Sequence, residues 1–351
     1  MNGRLIFLLC FVLSANCKCK HWSQDEQSRG ESLFVHFASG RLGTRLSSYI
    51  ILLLFRWEYL HHCLHSLQFA LSVSFKCYCR KNLNLKVAVD KELMDTVVKY
   101  FDIPGESILP VLEDIYCEKD LEKLKNHMVP YKRNEPHGSG LEKDFLALKS
   151  KGFVIEMWPE GPPEESTYWI PEKLMTYNGI FIRNLLTFKP EYKKIATNML
   201  KQISKSDRSG KEILFVGMHA RRTDYINFSK KILNKKIAGK NHFLEGMEYF
   251  KEEFPDQEVY FIAVSDDMDW MRKHLGNIHN VVLAGMADKN NEDKIPYGLD
   301  PIGIDLCLLA KCNHTILSQG QFGQWGSFLA GGDIYSTYGP MVWNILKNSD
   351  G

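Results

Sequence analysis

The sequence is short of net charge, of long apolar runs and of repetition, and each shortage excludes something. Its 44 lysines and arginines nearly balance 42 aspartates and glutamates, leaving a formal charge of +2. So even a balance gives no general attraction for nucleic acid or acidic membranes, and any basic site must be local. Behind Arg4, the apolar run Leu5 to Leu13 has nine residues. At ~1.5 Å per residue it falls well short of the ~30 Å of hydrocarbon that a spanning helix crosses. Followed by Ser14, Ala15, Asn16 and Cys17, it predicts a signal peptide or short signal-anchor over residues 1–17 and a body that enters the secretory pathway. Residues 49–75 are apolar-rich but broken by Arg56, Glu58 and histidines, which fits an amphipathic helix pair better than a membrane span. No internal repeat or low-complexity tract is present. His61, His65, Cys77 and Cys79 match no established metal-ligand spacing. If the leader is removed before Cys17, eight cysteines remain (Cys17, Cys19, Cys63, Cys77, Cys79, Cys117, Cys307 and Cys312), an even set that permits disulfides in an oxidising compartment, with connectivity left open.

What is present is the composition of a globular protein, 44% hydrophobic and 25% charged over 351 residues, enough for two domains of ordinary size. From residue 213 onward, strand and helix patterns alternate. Strands are predicted at 213–220, 258–265, 280–284 and 314–318. Between and after them, helices are predicted behind an Asn241 cap, over 266–275, over 305–311 and from about Phe322. Such alternation predicts a parallel, doubly wound sheet, whose ligands bind outside the carboxyl ends of its strands. HARRTDY (219–225), SDDMDW (265–270) and SQGQFGQW (318–325) all fall at those ends. In the first half, strands are expected at 33–37 and 85–90, the former leading through ASGRLG into a helix. Loops are expected at 130–140 and 158–166, and a helix near 192–202. The polar 204–210 segment marks a boundary between two α/β halves that face a cleft.

Arginine presents a planar, permanently charged fork matched to phosphate oxygens. Arg221 and Arg222, if extended, point to opposite faces, so one can grip a diphosphate while the other, held by Asp224, braces the loop. Ser265 or Asp266 can cap the following helix, or a carboxylate there can bond ribose hydroxyls or the guanine edge. Gly320 and Gly323 lie between a strand and a helix, where backbone amides can approach a phosphate. Gly326, Ala330 and Gly331 suit close packing of the helix on the sheet.

HARRTDY resembles the His-x-Arg-Arg-x-Asp-Tyr motif of inverting fucosyltransferases. Residues 305–335 are similar to the C-terminal block of the galactoside α-1,2-fucosyltransferases, glycosyltransferase family 11. GRLGTR (40–45) resembles their Gly-x-Leu-Gly-Asn-Gln segment, with Thr44 and Arg45 in place of Asn and Gln. The resemblance covers 40–45 and 213–336; residues 52–200 match poorly, and the threonine in HARRTDY is more typical of α-1,6 enzymes. It implies a GT-B fold with an acceptor-side domain at 30–205 and a GDP-fucose-binding domain at 210–345. The donor is then GDP-fucose and the acceptor a galactose-terminated glycan. The resemblance further implies no metal requirement and residence in the Golgi lumen, either through an N-terminal membrane anchor or as a secreted protein.

Under that resemblance Arg221 is the diphosphate clamp, Arg222 supports it, and His219 and Tyr225 shape the nucleotide pocket. Ser265, Asp266, Asp267, Ser318, Gln319, Gly320, Phe322 and Gly323 complete the donor side. Gly40, Leu42 and Gly43 form the acceptor-side loop, and Asp224 is a candidate base. Asp267-Met-Asp269 also spells the manganese signature of another class of sugar transferase, a short and weak match. Two other readings are transfer to another acceptor (core N-acetylglucosamine or a protein hydroxyl) and a secreted glycan-binding protein without turnover. Of two glycosylation sequons, Asn313 is expected to be unmodified because it abuts a buried strand, and Asn227 is the more exposed candidate.

Overall fold

Apolar runs too short for helices pair into two parallel sheets. In this computed structural model the described residues are 33–36, 40–54, 86–126, 128–130, 154–156, 172–231, 234, 236–288, 290–291 and 295–343. The leader, Cys17 and Cys19, the histidines and cysteines between 61 and 79, the 158–166 loop and the 130–140 loop beyond Pro130 lie outside them. In the first sheet β1 (Leu33–His36), β2 (Lys86–Val89), β3 (Met128–Pro130) and β4 (Val154–Glu156) lie in the order β2-β1-β4-β3, every pair parallel.

The second sheet holds β5 (Glu212–Ala220), β6 (Gln257–Ser265), β7 (Val281–Leu283), β8 (His314–Leu317), β9 (Ile334–Ser336) and β10 (Gly339–Met341). Their order is β10-β9-β8-β5-β6-β7, parallel except for the β9–β10 hairpin. The chain therefore moves outward from β5 to β6 and β7, then returns to place β8 on the other flank of β5. That reversal is a topological switch point, where the connections leave in opposite directions and open a crevice.

Helices among the described residues include α1 (residues 42–54), α2 (Lys91–Tyr100), α3 (Pro190–Ser206), α4 (Thr223–Lys231), α5 (Lys240–Glu253), α6 (Met268–Leu275), α7 (Pro301–Ala310) and α8 (Gln321–Ala330). Three starts differ from the sequence reading. α5 begins behind Gly239, which offers no side-chain cap, so Asn241 lies within the helix. α6 begins at Met268 and is capped by Asp267, whose Oδ1 accepts from Trp270 N at 3.0 Å; Ser265 and Asp266 bond elsewhere. α7 begins at Pro301, four residues ahead of Asp305, behind an Asp300 cap that accepts from Ile302 N at 3.0 Å. Proline at the first helical position loses no hydrogen bond, which fixes that start.

One apolar core joins the two halves. Leu46, Tyr49 and Leu53 of α1 and Val97 and Tyr100 of α2 share it with Ile304 and Leu308 of α7 and Trp325 and Phe328 of α8. A second core, including Val216, Met218, Phe243, Phe250 and Phe261, lies between the second sheet and α5 and α6. At the seam, Trp325 Nε1 donates to Gly43 O at 3.0 Å, and a Cβ on Gly43 would come within 2.7 Å of Phe322 N. Only a glycine lets α1 and α8 approach this closely.

Cys117 is disulfide-bonded, but Cys307 and Cys312 are free and buried, which corrects their place in the expected disulfide set. Both belong to the apolar core, and burial pushes the Cys307 thiol up to about 12, where it stays a small hydrophobe. Among the described residues no helix is long and apolar enough to cross a membrane.

Candidate active site

The carboxyl ends of β5, β6 and β8 are clipped together. Ser318 Oγ accepts from Arg221 N at 2.7 Å, and Ser318 N donates to His219 O at 3.0 Å. Ser265 Oγ donates to Ala220 O at 2.7 Å, and Asp266 Oδ1 accepts from Arg222 N at 2.8 Å. The rim so formed fixes where the two arginines leave the sheet.

They leave in opposite directions, as the extended chain requires. Arg221 turns into the cleft with its side chain 12% exposed, ion-paired to Asp224 and Asp266 and donating to Thr223 Oγ1 at 3.1 Å. Arg222 turns away from the cleft lining. Its guanidinium carbon stands 3.9 Å over the Trp270 ring, with Nε 3.5 Å from Asp267. The bracing arginine is thus held by Asp267 and an indole face, a cation–π contact, and not by Asp224 as the sequence suggested. Asp267 serves both that brace and the α6 cap, while Asp269 is exposed on the first turn. The Asp-x-Asp pair is therefore not presented as a unit. Among the described residues no group of three or more histidine, cysteine or acidic side chains is gathered for a metal.

A second cleft arginine escaped the sequence reading. Arg41, in the GRLGTR turn, reaches across to Asp224 at 3.4 Å and to Asp266 at 3.6 Å. Asp266 also accepts from Thr223 Oγ1, so it is spent on the arginine loop and not held free for a ribose. Burial tends to raise the Asp224 carboxyl, but Arg221 and Arg41 outweigh it and hold it below the usual range. Two guanidinium groups from opposite walls therefore converge on one spot, where the exposed Asp224 and the half-buried Asp266 neutralise them.

His219 is 3% exposed, and burial, then the charge of Arg221, drives its pKa down to about 3, so the ring is neutral. It lies 5.1 Å from the Phe322 ring, and a Cβ on Gly323 would come 2.6 Å from its Nδ1. Gly323 is thus required by histidine packing, whereas Gly320, at φ 103°, makes the turn itself. Tyr225 lines the cleft with Phe228, ring centres 5.3 Å apart. Gln319 lines it too, but its carboxamide is committed to Ala238 N and Lys236 O.

The cleft has a volume of about 1380 Å³ and takes its walls from both halves, including Gly40, Leu42 and Gly43. Arg45 ties the Gly40 turn to α2: it donates to Gly40 O at 3.2 Å and Thr96 Oγ1 at 2.8 Å and pairs with Glu92 at 2.5 Å. Asp305, also missed, lines the same cleft from α7. Its Oδ1 accepts from Met286 N at 2.7 Å, and burial pushes its carboxyl up to about 8. A lone acid within PIGIDLCLLA was the available signal. Asn227 is exposed on α4. Asn313 is exposed as well, against the expectation that the sheet hides it, but its Oδ1 accepts from Phe215 N at 2.9 Å and Thr315 of its sequon is buried.

Two parallel α/β halves facing a cleft, with basic groups at a switch point, are the architecture of a GT-B glycosyltransferase. Residues 170–338 match the model described as glycosyl transferase family 11. It is 32% identical over 120 residues to galactoside alpha-(1,2)-fucosyltransferase 2 of Gorilla gorilla gorilla, covering 34% of this chain and 32% of that protein. It is 29% identical over 153 residues to galactoside alpha-(1,2)-fucosyltransferase 1 of Saimiri sciureus, covering 43% and 38%. The matched stretches thus span about a third of the length of these curated relatives. Among solved structures, the fucosyltransferase NodZ from Bradyrhizobium aligns over 88% of this chain and 96% of its own, at 15% identity and a TM-score of 0.45.

Proposed function

We propose that the cleft binds GDP-fucose and transfers L-fucose, with inversion and without a metal, to a galactoside hydroxyl in α-1,2 linkage. The observation that carries this is Arg221, fixed at the β5/β8 switch point with Arg41 opposite it, in a chain whose relatives are galactoside α-1,2-fucosyltransferases. Negative charge grows on the diphosphate as its bond to fucose breaks. Two preorganised guanidinium groups stabilise that charge more in the transition state than in the ground state. Asp224 and Asp266 keep both arginines aimed while the site is empty of anion.

A carboxylate with a depressed pKa is a weak general base, so Asp224 suits positioning better than proton abstraction. Asp305 is placed to accept from the ring and exocyclic N–H groups of guanine. A buried acid that lines a cleft and is bonded on one oxygen has its second oxygen for such a pair. Neutral His219 and Phe322 form an uncharged wall beside the clamp. Lumenal residence rests on the leader-like residues 1–17 and on the disulfide at Cys117, since disulfides persist in oxidising compartments. The test is a donor panel. Protein incubated with a β-galactoside should consume GDP-fucose with or without EDTA and leave GDP-mannose and UDP-galactose untouched. Equal use of a UDP-sugar would overturn the proposal.

A further inference from the structure

Two glutamines flank Gly320, and their carboxamides meet different fates. Gln319 is paired through both atoms with the 236–238 segment. Gln321, the first residue of α8 and part of the cleft lining, has Nε2 and Oε1 both buried without a hydrogen-bond partner. Unsatisfied buried polar groups are costly and few in native proteins, so a donor and an acceptor left together call for a ligand. Packing does not account for them. A Cβ on Gly43 would meet the Gln321 backbone carbon at 2.8 Å and its Cβ at 2.9 Å, contacts that an apolar side chain would make equally well.

We infer that Gln321 recognises a ring hydroxyl of the transferred sugar, an assignment that rests on the donor reading above. Position supports it: a Cβ on Gly320 would lie 3.3 Å from Arg221 Cγ, so Gln321 follows directly on the turn packed against the diphosphate clamp. What is covalently joined to the clamped diphosphate is the sugar. Chemistry supports it too. A hydroxyl donates one hydrogen bond and accepts others, and a carboxamide offers one group of each kind. A phosphate oxygen would meet the carboxamide oxygen as a second acceptor, and the guanine edge has Asp305.

The test uses Gln321→Met, close in length and apolar, with Gln321→Ala as a second variant in case methionine fails to pack. GDP affinity is measured by calorimetry, and GDP-fucose and acceptor kinetics by initial rates. The assignment predicts GDP affinity within about twofold of wild type, kcat/KM for GDP-fucose lower by about tenfold, and an unchanged acceptor KM. The ratio of GDP-fucose to GDP recognition is the decisive readout, because a merely structural residue would move both. Equal loss for GDP and GDP-fucose, a shift in acceptor KM instead, or wild-type kinetics would each overturn the assignment while leaving the donor reading intact. A wild-type protein that binds no GDP would instead remove the donor reading on which the assignment rests.

Discussion

Replacing Asp305 with asparagine should stabilise the ligand-free protein at alkaline pH and weaken its hold on GDP. The carboxyl titrates near 3.8 when exposed and is pushed up to about 8 in the fold. A raised folded pKa means that the native state holds a proton which the unfolded chain releases above pH 3.8. The contribution to stability is therefore fully present in acid and is lost as pH rises from about 4 to 8. At about 1.36 kcal/mol per pH unit, the shift of roughly four units sets a ceiling of about 6 kcal/mol. Asparagine is neutral throughout and keeps an oxygen for Met286 N. The variant should melt with wild type near pH 4.5 and several degrees above it at pH 8.5. GDP binding should behave oppositely. Wild-type affinity should rise with pH up to about 8, because guanine needs the deprotonated carboxylate and binding must release its proton. The variant should lose about ten- to a hundredfold in affinity, the worth of a charge-assisted hydrogen bond, and lose the pH dependence as well. Thermal melts and calorimetry at four or five pH values suffice. Parallel melting curves at every pH, or GDP affinity indifferent to pH in the wild type, would refute the reasoning.

Arg221→Lys keeps the charge but loses the fork, and should lower turnover about ten- to a few-hundred-fold at saturating donor, with acceptor KM little changed; near wild-type turnover would reduce the motif to a salt bridge. Arg222→Lys should be milder, since its contacts are Trp270 and Asp267 outside the cleft lining. Gly43→Ala brings a Cβ within 2.8 Å of α8 backbone atoms, so it should cost about 1–3 kcal/mol in a denaturant melt and depress turnover as the cleft walls part. Activity should survive excess EDTA, and strict dependence on added manganese would revive the Asp267–Asp269 reading.

The second sheet was legible in the sequence because parallel strands buried on both faces read as unbroken apolar runs, and Glu212–Ala220 and Gln257–Ser265 both do. Helix starts were harder. Asp300-Pro301 is a strong cap signal, but it stands ahead of an apolar run with no polar face, and the start was drawn at Asp305 instead. The arginine pair was visible as a motif, and alternation along an extended chain correctly separated the two side chains. The partners of Arg222 were not visible, since Asp224 lies closer in sequence but pairs with Arg221, whereas Asp267 and Trp270 reach Arg222 only through the pairing of β5 with β6. Arg41 was missed for the same reason, since it joins the site across the seam of the two halves, a contact of high sequence separation; Asp305 was missed because it sits inside the apolar run of α7, where only the fold shows that it lines the cleft. Gly43 was seen as a loop glycine, and its contact with Phe322 required the packed α1–α8 interface.

The most direct measurement is the structure of the product. Purified protein, GDP-fucose and a β-galactoside acceptor are incubated, and the product is analysed by NMR for linkage and anomeric configuration. The account predicts an α-linked fucose on the galactose 2-hydroxyl, formed with wild-type Arg221 and lost or sharply slowed with Arg221→Lys. Fucose found on N-acetylglucosamine or a protein hydroxyl would replace the acceptor, and no transfer from a protein that binds GDP would contradict the account.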